Sequence, residues 1–349
     1  MIFPEQRPWD APNATTNRAL GVLRKTRGLC DLVIRQNVAA LPDPLRTMAG
    51  YHFGWCDPNG LPVSSESGKA LRSALTLGVA TAYDARNLCT IDAAAAVELV
   101  HNFTLVHDDV MDGDPIRRGR PTVWKVWGVS DAILLGDVFH SLAGTVLANR
   151  ATDSMACRAS ARLRAVELEL CKGQQLDCAF EHRIDVDVDD YVAMAMGKTG
   201  ALIGCACALG ALYAGAASDD VDEVDLFGRE LGLAFQFVDD LIGIWGDSSV
   251  TGKPTDGDLT RRKRTLPVVA ALQASGDAAA ELADLFASPD PMSAADVARA
   301  TTLIEKAGGR DIAVAMAQNQ IRRSLTLLPA QVASADMLAL IQLVLERDR

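Results

Sequence analysis

Apolar residues recur in this 349-residue chain at intervals of three and four over one long stretch after another, a periodicity that buries one face of a helix and does not suit a strand. Such runs cover about Ala70 to Tyr83, Ile91 to Met111, Asp131 to Ala148, Ser154 to Phe180, Val188 to Ala214 and Asp219 to Trp245. Shorter ones follow at Thr265 to Ala274, Ala294 to Ala307 and Ile312 to Leu328, and no alternating run competes with them. Upstream, Arg18 to Leu41 reads as a helix, Pro42 and Pro44 break it, and a short helix leads into a loop over Asp57 to Ser67. The first residues carry Pro4, Pro8 and Pro12 with little periodicity, so 1–17 is expected to be a flexible arm. The connections elsewhere are too short to divide the chain, and 18–349 is expected to form one all-α domain built as a helical bundle.

Composition agrees with that reading. Half of the residues, 49%, are hydrophobic, only 5% are aromatic, and Ala, Leu and Val recur throughout, which favours helices over short β-branched strands. The uncharged stretch Ala201 to Ala217 is rich in Ala, Gly and Cys and slightly short for a membrane span, so it is expected to be a core helix, with no integral membrane segment in the chain. A net charge of -11 gives nucleic acid no basic face to bind. The eight cysteines form no CxxC pair, which suggests reduced, mostly buried thiols. Met1 to Asn17 has mixed charges and no apolar core of a signal peptide, so a cytoplasmic location is expected.

The chemistry begins in the segment 107–112, His-Asp-Asp-Val-Met-Asp. Asp108 and Asp112 lie one helical turn apart, so both carboxylates share a face and repel unless a cation sits between them. A hard cation such as magnesium, carried with a phosphate, suits such oxygens. A second cluster, Asp239 and Asp240 after Gln236, ends another apolar helix, with Asp247 beyond it. Arg117, Arg118 and Arg120 follow the first cluster, while Lys253 and the run Arg261, Arg262, Lys263, Arg264 follow the second. Acidic then basic, twice, in an acidic protein points to magnesium ions and a diphosphate held between them.

These residues resemble the trans-isoprenyl diphosphate synthases from about Gly68 to Pro267. Asp108-Asp109-Val110-Met111-Asp112 is similar to the family's first aspartate motif, and Gly68-Lys69-Ala70-Leu71-Arg72 to its glycine-lysine-x-x-arginine segment. Gly173-Gln174-Gln175-Leu176-Asp177, Lys198-Thr199-Gly200, and Phe235-Gln236 before Asp239-Asp240 match three further elements. The resemblance implies the isoprenoid synthase helical bundle with a central cavity, and a reaction joining isopentenyl diphosphate to an allylic diphosphate. It assigns catalysis to Asp108, Asp112, Lys198, Thr199, Gln236 and Asp239, with several magnesium ions on Asp108, Asp112, Asp239 and Asp240. Lys69, Arg72, His101 and Arg118 would hold isopentenyl diphosphate; Arg117, Gln174, Lys253 and Lys263 would serve the allylic substrate. A homodimer is implied as well.

Three positions depart from the pattern: Gly243 stands where a third aspartate is common, Ser67 replaces a glycine and Ser73 a proline. Product length in the family depends on residues one turn before the first aspartate motif. Phe103 lies five positions before Asp108 and small Thr104 four before, with no insertion inside the motif, which resembles enzymes that stop at twenty carbons. Geranylgeranyl diphosphate is therefore expected, with farnesyl diphosphate second. Two alternatives remain at this point: a terpene cyclase on the same fold, which would have no use for Lys69, Arg72, His101 and Arg118, and a catalytically silent partner subunit.

Overall fold

A computed structural model describes residues 14–63, 68–85, 88–183, 185–246, 257–288 and 290–345. The described chain is a bundle of helices: α1 (Ala14–Ala39), α2 (Leu45–His52), α3 (Leu71–Ala82), α4 (Leu88–Met111), α5 (Val123–Trp127), α6 (Val129–Ala148) and α7 (Asp153–Phe180). After these come α8 (Val188–Ala195), a single π-helical turn (Met196–Gly200), α9 (Ala201–Tyr213) and α10 (Ser218–Trp245). The remainder is α11 (Gly257–Thr260), α12 (Leu266–Leu272), α13 (Asp277–Ala287), α14 (Ala294–Lys306), α15 (Gly309–Thr326) and α16 (Ala335–Leu345).

The segment expected as a core helix is the hub. Every residue of α9 is buried, and the helix packs against α3, α4, α7 and α10. Its alanines and glycines let those neighbours come close, while Leu202, Ile203, Leu209 and Leu212 each contribute roughly 1.5–3 kcal/mol by leaving water. Three helical stretches, Leu88–Met111, Val129–Ala148 and Val188–Tyr213, are long and apolar enough to cross a membrane by length and composition alone. Two of them owe that hydropathy to the core, with 67% and 72% of the apolar window buried. The third, α6, leaves Val129, Ile133 and Leu134 exposed.

Several boundaries differ from the sequence reading. Helix α1 starts at Ala14, so residues 14–17, expected in the arm, are helical. It packs on α16, and Arg18 pairs with Asp336 at 2.9 Å, so contact with a distant partner helps order the beginning of that helix. The short helices α5, α13 and α16 escaped the periodicity reading. So did a two-residue hairpin, Ile116–Arg117 against Arg120–Pro121. Its turn residues, Arg118 and Gly119, have φ of +53° and +71°, the positive pair that a tight hairpin needs. Sequence suggested one continuous helix over Val188 to Ala214; the structure inserts the π turn at Met-Gly-Lys-Thr-Gly. Insertions of that kind re-aim side chains and are frequent at functional sites.

Candidate active site

Helix α4 delivers the first acidic cluster at its C-terminal end. Asp108 and Asp112 share one face, while Asp109, between them, turns inward and is 2% exposed. Asp109 accepts a 2.6 Å hydrogen bond from Arg117 Nε, and burial raises its carboxyl to about 6 in spite of that arginine. Burial also raises Asp108, against the pull of Lys198.

The cationic partners come from elsewhere in the chain. Lys198, on the π turn, donates to Asp177 of α7 at 2.8 Å. Lys263 donates to Asp112 at 2.9 Å and to the same Asp177 oxygen at 3.0 Å, and pairs with Glu181 at 2.6 Å. Burial opposes the charge on both ammonium groups, but the surrounding carboxylates outweigh it and raise both. Asp177 is lowered for the converse reason: burial disfavours its charge and the two lysines more than restore it. Gly173 makes this geometry possible, since a Cβ there would meet the backbone nitrogen of Lys198 at 2.3 Å. The glycine of the Gly-Gln-x-x-Asp element therefore lets the π turn lie directly on α7.

The second acidic cluster divides in two. Asp239 is half-buried at the end of α10. Asp240, expected beside it as a metal ligand, points into the protein and is 5% exposed. It accepts hydrogen bonds from Tyr191 OH at 2.6 Å, the Leu266 backbone N–H at 2.8 Å and Gln236 Nε2 at 2.8 Å. Burial raises its carboxyl to about 7. The correction has a simple cause: adjacent residues on a helix point about 100° apart, so only one of the pair faces the cleft. Asp240 instead anchors a chain of bonds, because the Gln236 that it orients accepts from Thr199 Oγ1 at 2.7 Å.

Next to the hairpin, Arg72 donates to His101 Nε2 at 3.2 Å. Burial, together with Arg72 and Arg118, holds His101 well below the usual histidine range, so it is a neutral acceptor. Arg118 lies against Gly68, where a Cβ would meet its guanidinium at 2.7 Å, and Lys69 is exposed on the same segment. Beneath them Glu98 is bonded by Ser73 at 3.3 Å and Asn102 at 3.5 Å. Burial raises Glu98, while Arg72 and Arg118 pull it down. Thus the segment around Gly68, α4 and the hairpin, far apart in sequence, contribute to one basic cluster.

Phe103, half-buried on α4, packs edge-on against His107 and obliquely against His140 of α6. Thr104 spends its hydroxyl on the His101 carbonyl at 2.8 Å. Gln174 is 6% exposed, and among the described residues its amide nitrogen meets the sulfurs of Met111 and Cys178, at 3.8 and 3.7 Å. Lys253, with Gly252 and Asp247, lies outside the described residues.

Sequence reasoning passed over Asp177 and Glu181 as partners of the lysines, and Glu98 and Tyr191 as supports. Asp177 stood inside a quoted motif, and its spacing from Glu181 would have put both on one face. Glu98 and Tyr191 gave no such signal, since what marks them is burial beside a charge.

The polyprenyl synthetase family model matches residues 61–304. The chain belongs to that family. It is 50% identical over 327 residues to a geranylgeranyl diphosphate synthase of Mycobacterium tuberculosis, covering 94% of this chain and 93% of that one. It is 43% identical over 319 residues to a (2E,6E)-farnesyl diphosphate synthase of the same species, covering 90% and 88%. Its fold superposes on a polyprenyl synthetase from Streptomyces coelicolor with a TM-score of 0.87 at 42% identity, covering 93% and 98%. The polyprenyl synthetase described here is thus an all-α isoprenoid synthase and a chain-elongating trans-prenyltransferase.

Proposed function

We propose that this synthase condenses isopentenyl diphosphate with dimethylallyl, geranyl or farnesyl diphosphate, with magnesium, and stops at geranylgeranyl diphosphate. The observation that carries the reading is the cation bridge across the cleft mouth, where Lys198 and Lys263 hold Asp177 and Lys263 also holds Asp112. Carboxylates from α4 and α7 meet there only because positive charge lies between them.

The donor set fits magnesium. Asp108, Asp112 and Asp239 offer hard oxygens, and the Lys263 ammonium beside Asp112 stands where a cation is favoured. Among the described residues no group of three His, Cys, Asp or Glu side chains is arranged to hold a metal ion by itself, so diphosphate oxygens and water would complete each coordination shell. When bound there, magnesium supplies charge neutralisation to the allylic diphosphate as its carbon–oxygen bond breaks.

The side chains do the rest. Arg117, Lys198, Lys253 and Lys263 bind and orient the allylic diphosphate, and Gln174 serves the same substrate. Thr199 and Gln236, fixed through Asp240, turn oxygen atoms toward the allylic cation. Lys69, Arg72, His101 and Arg118 hold isopentenyl diphosphate so that its double bond attacks that cation, catalysis chiefly by orientation. The departing pyrophosphate takes the final proton. The growing chain runs down from Asp108 between helices, and Phe103, with small Thr104 beside it, closes the tunnel.

A homodimer, implied by the family resemblance, would give cover to exposed apolar side chains such as Val129, Ile133 and Leu134 of α6 and Leu168 of α7, each at least 42% exposed. The enzyme is assigned to the cytoplasm.

The test is direct. Purified protein is incubated with magnesium, isopentenyl diphosphate and each allylic diphosphate, and the products are identified by mass spectrometry after phosphatase treatment. A twenty-carbon alcohol supports the whole reading, and Phe103→Ala then lengthens the product. A fifteen-carbon limit, or a Phe103→Ala product distribution unchanged from the parent, overturns the chain-length argument. A cyclic hydrocarbon from allylic substrate alone overturns the reaction.

A further inference from the structure

We propose that His140 is a positioning residue for product length: with His107 it clamps the Phe103 ring and so keeps the tunnel floor in place. The inference rests on the reading of Phe103 as that floor.

Phe103 is flanked by two imidazoles. His107 lies 5.0 Å from it, centroid to centroid, at an interplanar angle of 80°, and His140 lies 5.3 Å away at 53°. Neither imidazole is loose. His107 Nε2 lies 2.9 Å from the Ile133 carbonyl of α6; a carbonyl only accepts, so this nitrogen carries the proton and donates. The seat of that ring is cut into α6 at Gly136, where a Cβ would meet His107 Nε2 at 2.1 Å. His140 Nε2 lies 3.1 Å from Glu167 Oε2 of α7, which only accepts, so this nitrogen donates to it, and Arg164 Nη1 donates to the same oxygen at 2.7 Å. Glu167 is only 5% exposed, so this carboxylate is a fixed point inside the protein.

The result is a chain of restraint through three helices: Glu167 on α7, itself bonded by Arg164, fixes His140 on α6, and His140 and His107 fix Phe103 on α4. A side chain confined on two sides has one rotamer region open to it, and the tunnel one depth. Glu167, Arg164 and Phe103, which His140 contacts, are not among the diphosphate-binding residues. Removing its ring therefore acts on where elongation stops, not on how it proceeds.

The experiment uses the purified full-length chain and compares parent, His140→Ala, Phe103→Ala and the double variant. The readouts are the ratio of products beyond twenty carbons to the twenty-carbon product, KM for isopentenyl diphosphate, and dimer content. An aromatic pair is worth enough to shift that ratio by about three- to tenfold on losing one partner. His140→Ala is expected to raise the ratio by that factor with KM and dimer content unchanged. His140→Phe is expected to return it to the parent value, and the double variant to equal Phe103→Ala alone, because both changes act through one ring. Glu167→Gln, which keeps the volume but removes the charge holding His140, is expected to shift the ratio the same way and serves if His140→Ala does not fold. A parental ratio in both His140→Ala and Glu167→Gln, with Phe103→Ala lengthening the product, overturns the clamp and leaves the Phe103 reading intact. An additive double variant also overturns it. No lengthening in Phe103→Ala overturns both.

Discussion

Replacing Lys263 by Met should convert the synthase into a protein whose stability depends on divalent cations. The Lys263 side chain is 8% exposed and serves Asp112, Asp177 and Glu181. Breaking a buried ion pair from one side costs about 3–5 kcal/mol, because the other charge is left buried and unpaired. Here the cost is lower. Asp112 and Asp177 are 13% exposed and Glu181 30%, and Asp177 keeps Lys198, so water and the second lysine recover part of it. A loss of about 2–3 kcal/mol follows. With an unfolding entropy of roughly 2.1 cal/mol/K per residue, a chain of this length should melt about 3–4 °C lower. The assay is thermal unfolding in chelator and in excess magnesium. Cation bound between the freed carboxylates adds about 2.7 kcal/mol at a hundred times its Kd, so magnesium should close most of the gap. Equal melting temperatures for Lys263→Met and the parent in chelator would refute the reasoning, because the lysine would then be no counter-ion to the cluster.

Two further outcomes follow from buried groups. Tyr191→Phe removes a 2.6 Å donor from Asp240 and should cost about 1.5–3 kcal/mol in urea unfolding; kcat should fall with KM for isopentenyl diphosphate unchanged, since Gln236 and Thr199 lose their anchor. His52, buried and bonded to Asn102 at 2.9 Å, is pushed down to about 3 by burial and then by Arg118. The unfolded chain binds that proton near pH 6.5 and the folded one does not, so stability is complete above 6.5 and falls as pH drops toward 3, by about 1.4 kcal/mol per pH unit for one such group. His52→Gln should flatten that acid slope in pH-dependent urea unfolding by about one proton, and an unchanged slope would count against a neutral His52.

What was legible in the sequence is what depends on neighbours along the chain. Helical period put Asp108 and Asp112 on one face, and an uncharged run rich in Ala, Gly and Cys marked α9 as a core helix. Arg117, Arg118, Lys198, Thr199, Gln236 and Asp239 stood in motifs that resemble those of the trans-isoprenyl diphosphate synthases, and that resemblance implied their roles. Other features depended on partners distant in sequence, and only the tertiary structure decided them. Asp239 and Asp240 are equal in sequence, but Tyr191 and Leu266 claim one and leave the other at the cleft. Asp177 became the meeting point of two lysines because Gly173 brings α7 against the π turn. Phe103 was visible as a candidate floor, whereas His140 was not, for its role comes from lying across a helix interface on that ring. Local periodicity reports which face a residue occupies. Burial, pairing and the pKa shifts that follow are set by the other residues on that face, and those are brought together only by folding.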